Sequence, residues 1–387
     1  MNSIEIGITG WGSISALGFD KKLIWENYLN SNHLFTKQNI NGKEEWMAKL
    51  SQQSNLAVNK IIEEKNAYRN LDPSVLYAIF TAREAVKHCN HPIDTDLGIN
   101  IGSSRGATTL FENYHSQFLS SIQNETYAQA SPSTTLGNIA SWVATDLNTN
   151  GPAISHSITC STALHAIINA FVWLKSGYAN HFLAGGSEAP LTPFTVAQMK
   201  ALKIYSSIEE SYPCKAMDLR KTQSSMILGE GAANFLLSAN AEKPLAKITG
   251  IGYGVESIKN GASLSANAEC MQKAMQKALT NHDINSVDVI ILHSPGTLLG
   301  DIAEMRAIEA VFKTGIPLLT CNKWKTGHTF GASGALSIEM ALLMLQHNQF
   351  IAPPYIAPQK QTKNIKKIMI NAVGFGGNAA SVILEID

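Results

Sequence analysis

The stretch "SITCSTALHA", residues 157–166, sets one cysteine, Cys160, between an extended run and a strongly apolar one. With 151–158 as a strand and a helix starting just past Cys160, the thiol lies at a helix N-terminus. The unpaired amides and the dipole there favour an anion. Such a setting lowers a cysteine pKa from about 8.5 into roughly 3.5–7.5, and the thiolate is the reactive form. On this stretch alone two readings stay open, a thiol filling a small buried space or a nucleophile. "HSPGTLLGD" places His293 at the end of an apolar strand, in a loop of Gly, Pro and Thr. "CNKWKTGHTFGASGAL" places His328 in a small-residue loop, with Lys323 five positions earlier. Small residues let backbone approach a substrate closely. "NAVGFGGNAA" holds Phe375 between glycines, which is an ordinary tight turn or a backbone donor loop with one movable aromatic.

A chain of 387 residues, 45% hydrophobic, is long enough for one large domain or two halves. Thirty basic residues balance thirty acidic ones, which argues against a global grip on nucleic acid or an anionic membrane. The start, "MNSIEIGITG", lacks a basic region and a long apolar core, so no secretory signal is expected. No run reaches the length of a membrane helix. Cys89, Cys160, Cys214, Cys270 and Cys321 are odd in number and scattered, with no CxxC pair. That pattern predicts reduced thiols in a cytoplasmic setting, with no disulfide frame and no metal site.

The positioning elements follow from patterning. Runs at 4–10, 97–104, 151–158, 181–188, 231–239, 288–294 and 368–377 read as strands. Several are apolar without alternation, as in sheets covered on both faces. A helix is expected from Asp72 as cap and Pro73 in the first turn. A second, at 162–175, is apolar nearly all round and so should be buried. Ile8-Thr9-Gly10-Trp11-Gly12 recurs as Ile248-Thr249-Gly250-Ile251-Gly252. We read two related α/β halves, 1–240 carrying the cysteine and 241–387 carrying both histidines and the glycine loop, as two mixed sheets sandwiching buried helices.

Taken together, "TCSTALHA", "HSPGTLLGD", "NKWKTGHTFGASGA" and "NAVGFGGNAA" resemble, in order, motifs of the β-ketoacyl-acyl-carrier-protein synthases of the I/II type, in the thiolase-like superfamily. "AGGSEA" (184–189), "LGEGAA" (228–233) and the opening "GITGWGSISALG" extend the likeness to essentially the whole chain. The resemblance implies a layered αβαβα thiolase-like fold. It implies an acyltransferase that condenses an acyl group on Cys160 with malonyl-carrier protein, with loss of carbon dioxide, in fatty acid, polyene or polyketide-type synthesis. By the same resemblance His293 and His328 hold the malonyl thioester oxygen, and Lys323 supports the electrostatics around His328. The backbone amides of Cys160 and Phe375 form the oxyanion hole, and Phe375 gates access. Such donors are worth about 3–4 kcal/mol each in comparable sites. Neutral histidines donate only through their N–H tautomers. Thr297, Asp301 and Glu304 keep their expected spacing from His293. No cofactor is implied beyond the phosphopantetheine arm of the carrier protein.

The chain also departs from the family pattern. Pro295 replaces a threonine that helps hold the pantetheine arm. The glutamate nine residues after the second histidine is replaced by Ser337, with Glu339 two positions further. Two helical residues are about 200° of rotation, so Glu339 should face away and Glu304 becomes the expected partner of Lys323. "QSSM" (223–226) replaces the family's RDGF. A thiolase would need a second cysteine near Asn378, and a type III synthase would use Cys–His–Asn. A non-catalytic chain-length-factor-like subunit usually lacks the cysteine. The acidic carrier protein is expected to dock on Lys65 and Arg69, and on Lys200 and Lys203. A dimer is expected, with a second copy or with a related subunit.

Overall fold

The computed structural model describes residues 4–40, 42–87, 95–123, 125–136, 138–257, 261, 264–313 and 315–387. Cys89 lies outside them. The first half contributes strands β1 (Ile6–Ile14), β2 (Thr36–Ile40), β3 (Lys43–Ala48), β4 (Gly98–Gly102), β5 (Ala153–Ile154), β6 (His181–Glu188), β7 (Leu228–Gly229) and β8 (Gly231–Ala239). The second contributes β9 (Ala246–Val255), β10 (Val289–Ile291), β11 (Leu318–Thr320), β12 (Lys367–Gly374) and β13 (Asn378–Glu385). β2, β3 and β7 form a small separate sheet.

The other ten strands run β11-β10-β12-β13-β9-β1-β8-β6-β4-β5. Numbered along the chain, the five strands on either side of the β9–β1 contact have one order: third, second, fourth, fifth, first. Strand directions repeat as well. β4 is parallel to β5 and β6, as β10 is to β11 and β12, and the remaining pairs within each set are antiparallel. The two sheets expected separately meet edge to edge. Gly7 pairs with Lys247 and Ile8 with Ala246, which makes one continuous ten-stranded sheet.

The repeated Ile-Thr-Gly-x-Gly has a packing cause. A Cβ on Gly10 or Gly12 would fall 2.1 Å from the Ala85 carbonyl or 2.4 Å from that of Thr81, in the helix Pro73–Lys87. A Cβ on Gly250 or Gly252 would meet the carbonyls of Ala278 and Ala274, in the helix Glu269–Ala278, at 2.3 and 1.9 Å. Each half lays a helix directly on its first strand, and only glycine leaves the room.

Helix Thr162–Lys175 packs on helix Ser333–His347, and both share one core with Phe182 and Phe235 of the first half and Ile291 and Ile370 of the second. Every residue from Ser333 to Leu345 is buried. Burying each of its large aliphatic side chains is worth about 1.5–3 kcal/mol. Around this core the parallel strands end on one side. Past the C-terminal ends of β4, β5 and β6 come Arg105, Cys160 and the terminal residue Glu188; past β10, β11 and β12 come His293, Lys323 and Phe375. Carboxyl ends of parallel strands are where α/β folds place their sites.

Candidate active site

Cys160 sits on a strained turn. Thr159, a β-branched residue, holds φ +48°. Such backbone costs on the order of 1–3 kcal/mol and persists only where its surroundings fix it. Here the Ser161 hydroxyl donates to the Ile158 carbonyl at 2.9 Å, and the Ile158 N–H donates to Thr162 Oγ1 at 2.8 Å. Thr159 Oγ1 donates to the Phe375 carbonyl at 3.1 Å. A Cβ on Gly374 would stand 1.7 Å from that Oγ1, so the glycine loop fits against the cysteine turn. The Phe375 backbone N–H lies close enough to the Cys160 sulfur to favour its thiolate form.

The thiol is not poised as its place before a helix predicts. Burial first, then the Glu188 carboxylate, push it up to about 12; Lys323, the Phe375 N–H and Arg105 oppose them. A rise of that size is on the order of 4 kcal/mol. A helix N-terminus offers an anion at most about 2 kcal/mol. Burial therefore wins, and Cys160 rests as a thiol.

His293 and His328 face each other with ring centroids 5.3 Å apart and planes at 80°. Burial, and then the charge of Lys323, hold both well below the usual histidine range, so both rings are neutral. His328 Nδ1 pairs with the Ser333 hydroxyl at 3.0 Å. Its backbone is clamped to the Ile227 carbonyl at 2.6 Å and to the Gly229 N–H at 3.1 Å. His293 Nδ1 is buried without a hydrogen-bond partner among the described residues. Lys323, fully buried, opens the short helix Lys323–Thr326, and burial lowers its pKa.

The supporting carboxylates act differently from expectation. Glu304 is not the ion-pair partner of Lys323. Its two oxygens accept the backbone N–H groups of His293 at 2.8 Å and Ser294 at 2.7 Å. It thus shapes the histidine loop, and burial raises it to about 7. Asp301 accepts from Gly296 N–H at 3.1 Å and is paired with buried Lys221 at 2.7 Å. Thr297 caps the helix Leu298–Val311 by accepting the Gly300 N–H at 3.2 Å. Glu339 faces elsewhere, accepting from Tyr28 at 3.0 Å.

Cys160, His293, His328, Thr297, Glu304 and Phe375 share a cavity of about 740 Å³. Met226, the last residue of the QSSM segment, lines it too; Met199, Phe330 and Arg306 also line it and were not singled out in the sequence. The one local signal was the small-residue run around Phe330, whose φ is +41°. Of the four basic docking candidates, Lys203 alone lines this cavity. Lys200 is already paired with Glu45. Lys65 lies 4.0 Å from Asp146 and bonds Tyr68, and Arg69 is exposed nearby. Among the described residues no cluster of potential metal ligands occurs, and no helix is long and apolar enough to cross a membrane.

Phe375 is 37% exposed at the cavity, and the glycines after it have φ of +87° and +66°. Phe375→Ala is expected to keep the fold and the N–H beside the sulfur while opening the cavity. Alkylation of Cys160 by a bulky maleimide should then quicken by about tenfold. Equal alkylation rates would make the loop a plain turn.

Residues 4–243 match the family model described as beta-ketoacyl synthase, N-terminal domain, and residues 245–356 that of the C-terminal domain. A 3-oxoacyl-[acyl-carrier-protein] synthase 2 of Staphylococcus aureus (strain MRSA252) is 28% identical over 410 residues, covering 99% of this chain and 98% of its own. A 3-oxoacyl-[acyl-carrier-protein] synthase 1 of Buchnera aphidicola is 26% identical over 415 residues, covering 98% and 99%. Among solved structures, a beta-ketoacyl synthase from Burkholderia phymatum superposes with TM-score 0.83 at 22% identity, covering 99% of this chain and all of its own. The ishigamide ketosynthase/chain length factor reaches 0.87 at 19%, covering all of both chains. A ketosynthase in complex with its chain length factor from Xenorhabdus doucetiae reaches 0.81 at 19%, covering 99% and 98%.

Proposed function

Because the chain belongs to the beta-ketoacyl synthase family, a family of acyltransferases, we propose that it condenses an acyl group held on Cys160 with a malonyl group delivered by acyl carrier protein. The observation that carries this reading is one cavity holding a thiol under the Phe375 N–H and two neutral histidines. The acyl thioester enters along the cavity, and the sulfur attacks its carbonyl. The thiol proton passes to a neutral ring nitrogen and returns to the departing pantetheine thiolate. The Phe375 N–H, beside the sulfur, donates to the new oxyanion. Malonyl thioester then binds with its carbonyl oxygen between the imidazole N–H groups. Carbon dioxide leaves, the enolate charge falls on that oxygen, and the enolate carbon attacks the acyl-cysteine. The product is a 3-oxoacyl thioester on the carrier, and Cys160 is regenerated with a proton from solvent.

Intact-mass analysis after incubation with carrier proteins loaded with acyl groups of different lengths tests this. An acyl adduct on Cys160 and a 3-oxoacyl product on adding malonyl-carrier protein are expected. No adduct with any donor would leave a passive partner subunit. We propose a dimer, with a second copy or a related subunit. Sedimentation of the purified chain alone should show a dimer in the first case and, in the second, one formed only on adding that subunit.

Docking falls to the basic residues left free near the cavity. We place the acidic carrier against Lys203, with Lys65 and Arg69 as an outlying patch and Lys200 withdrawn by Glu45. Lys203→Glu should slow acylation from carrier protein by about tenfold or more, and acylation from a small thioester far less. Equal slowing with both donors would refute this placement.

A further inference from the structure

Glu188 ends β6, is fully buried, and takes no part in the chemistry above. Its Oε1 accepts the N–H of Gly331 at 3.0 Å and also the N–H of Ser104. Its Oε2 has no hydrogen-bond partner among the described residues. Ser104 belongs to the first half and precedes Arg105. Gly331 belongs to the second half and follows Phe330, in the loop of His328. One carboxylate oxygen thus ties these two loops together. The fit is close: a Cβ on Gly331 would stand 2.7 Å from Oε1 and 2.7 Å from the Ser104 nitrogen. Beside it the Arg105 guanidinium lies 5.6 Å from the centroid of Phe330 and donates to Gln198 at 2.7 Å. The Phe330 ring is in turn 5.3 Å from that of His328.

We propose that Glu188 is a positioning residue for the reaction, holding the His328–Phe330 loop against the cysteine-bearing half and stationing a negative charge beside the nucleophile. The charged and titratable groups around Cys160 are Glu188 from β6, Arg105 from the loop after β4, Lys323 from its short helix, and neutral His293 and His328. Glu188 is the carboxylate that raises the thiol, and burial raises its own pKa in turn; Glu304, likewise raised by burial, Arg306 and Lys203 also line the cavity. A neighbouring anion opposes ionisation of a thiol, which keeps the nucleophile quiet until a donor is seated. The decarboxylation arm of the test rests on the ketosynthase reading above; the alkylation arm does not.

Glu188→Gln keeps an acceptor oxygen for both N–H groups and removes the charge. Iodoacetamide alkylation, read on the Cys160 peptide across pH, should move its midpoint down by about 1 pH unit or more. Glu188→Ala strands the buried Gly331 N–H and the part-buried Ser104 N–H, so malonyl decarboxylation should fall at least about tenfold below that of Glu188→Gln. If Glu188→Ala does not fold, Gly331→Ala displaces the loop with the charge kept. It should lower decarboxylation and leave the alkylation midpoint at the wild-type value. An unmoved midpoint in Glu188→Gln, or wild-type decarboxylation in the variant that breaks the tie, overturns the proposal. A moved midpoint in a protein that never condenses would sustain it while refuting the proposed function.

Discussion

Replacing Cys160 with alanine is expected to abolish acyl-enzyme formation and condensation while leaving measurable malonyl decarboxylation. The two jobs draw on different atoms. Acyl transfer forms a bond to the sulfur, and the other described cysteines, Cys214, Cys270 and Cys321, are buried and line no part of the cavity. On the proposed function, decarboxylation needs only donors at the malonyl thioester oxygen, the role given there to His293 and His328. Alanine removes the sulfur and leaves the rings 5.3 Å apart, because each is held from its own loop. His328 is fixed by Ser333 and the Ile227 carbonyl, and His293 by Glu304. The measurement is intact mass for the adduct and release of carbon dioxide from malonyl-carrier protein. Equal loss of both activities would show that the cysteine turn also holds the decarboxylation site.

The converse result is expected of the histidines. His293→Ala and His328→Ala should each slow decarboxylation by about 10²–10³, the cost of one donor to a developing oxyanion. The double variant should fall short of the product of the two, because both rings serve one oxygen. Acylation of Cys160 should survive in part in each single variant, since either ring can accept the thiol proton. Both rings are held neutral by burial and by Lys323. Acid must therefore fall well below the ordinary histidine range before either ring is protonated. In a Glu304→Gln variant, which removes the loop carboxyl that titrates near 7, decarboxylation should then hold level from neutral pH down through pH 6.5, if the fold persists. A drop centred near pH 6.5 would mean that water reaches the rings. Histidine variants that decarboxylate like wild type would remove the enolate step from this site.

The histidine and cysteine motifs stand out in the sequence because the residues of each lie close together in it. The helix after Cys160, the loop after the β10 strand, and the Lys323–His328 spacing are local facts. The halves left a trace for a similar reason. Gly10, Gly12, Gly250 and Gly252 each answer to a helix pressed on a strand, and the constraint is the same in both. β5 shrank to Ala153–Ile154 where a longer strand was expected, because beyond it the chain turns under Thr162 and Ser161 toward the thiol.

What only the tertiary structure decided is the electrical state of the site and the partners of its charges. Proximity to a helix start predicted a thiolate, but burial among distant segments and the carboxylate of Glu188 leave a thiol. Spacing suggested Glu304 for Lys323, but the loop folds so that the His293 and Ser294 N–H groups reach the carboxylate first. Lys200 looked free until the fold set Glu45 beside it, and Asp301 found Lys221 across 80 positions. A motif names groups within a few bonds of one another. Desolvation and ion pairing are sums over whatever the fold brings within a few ångströms, and most of that comes from far along the chain.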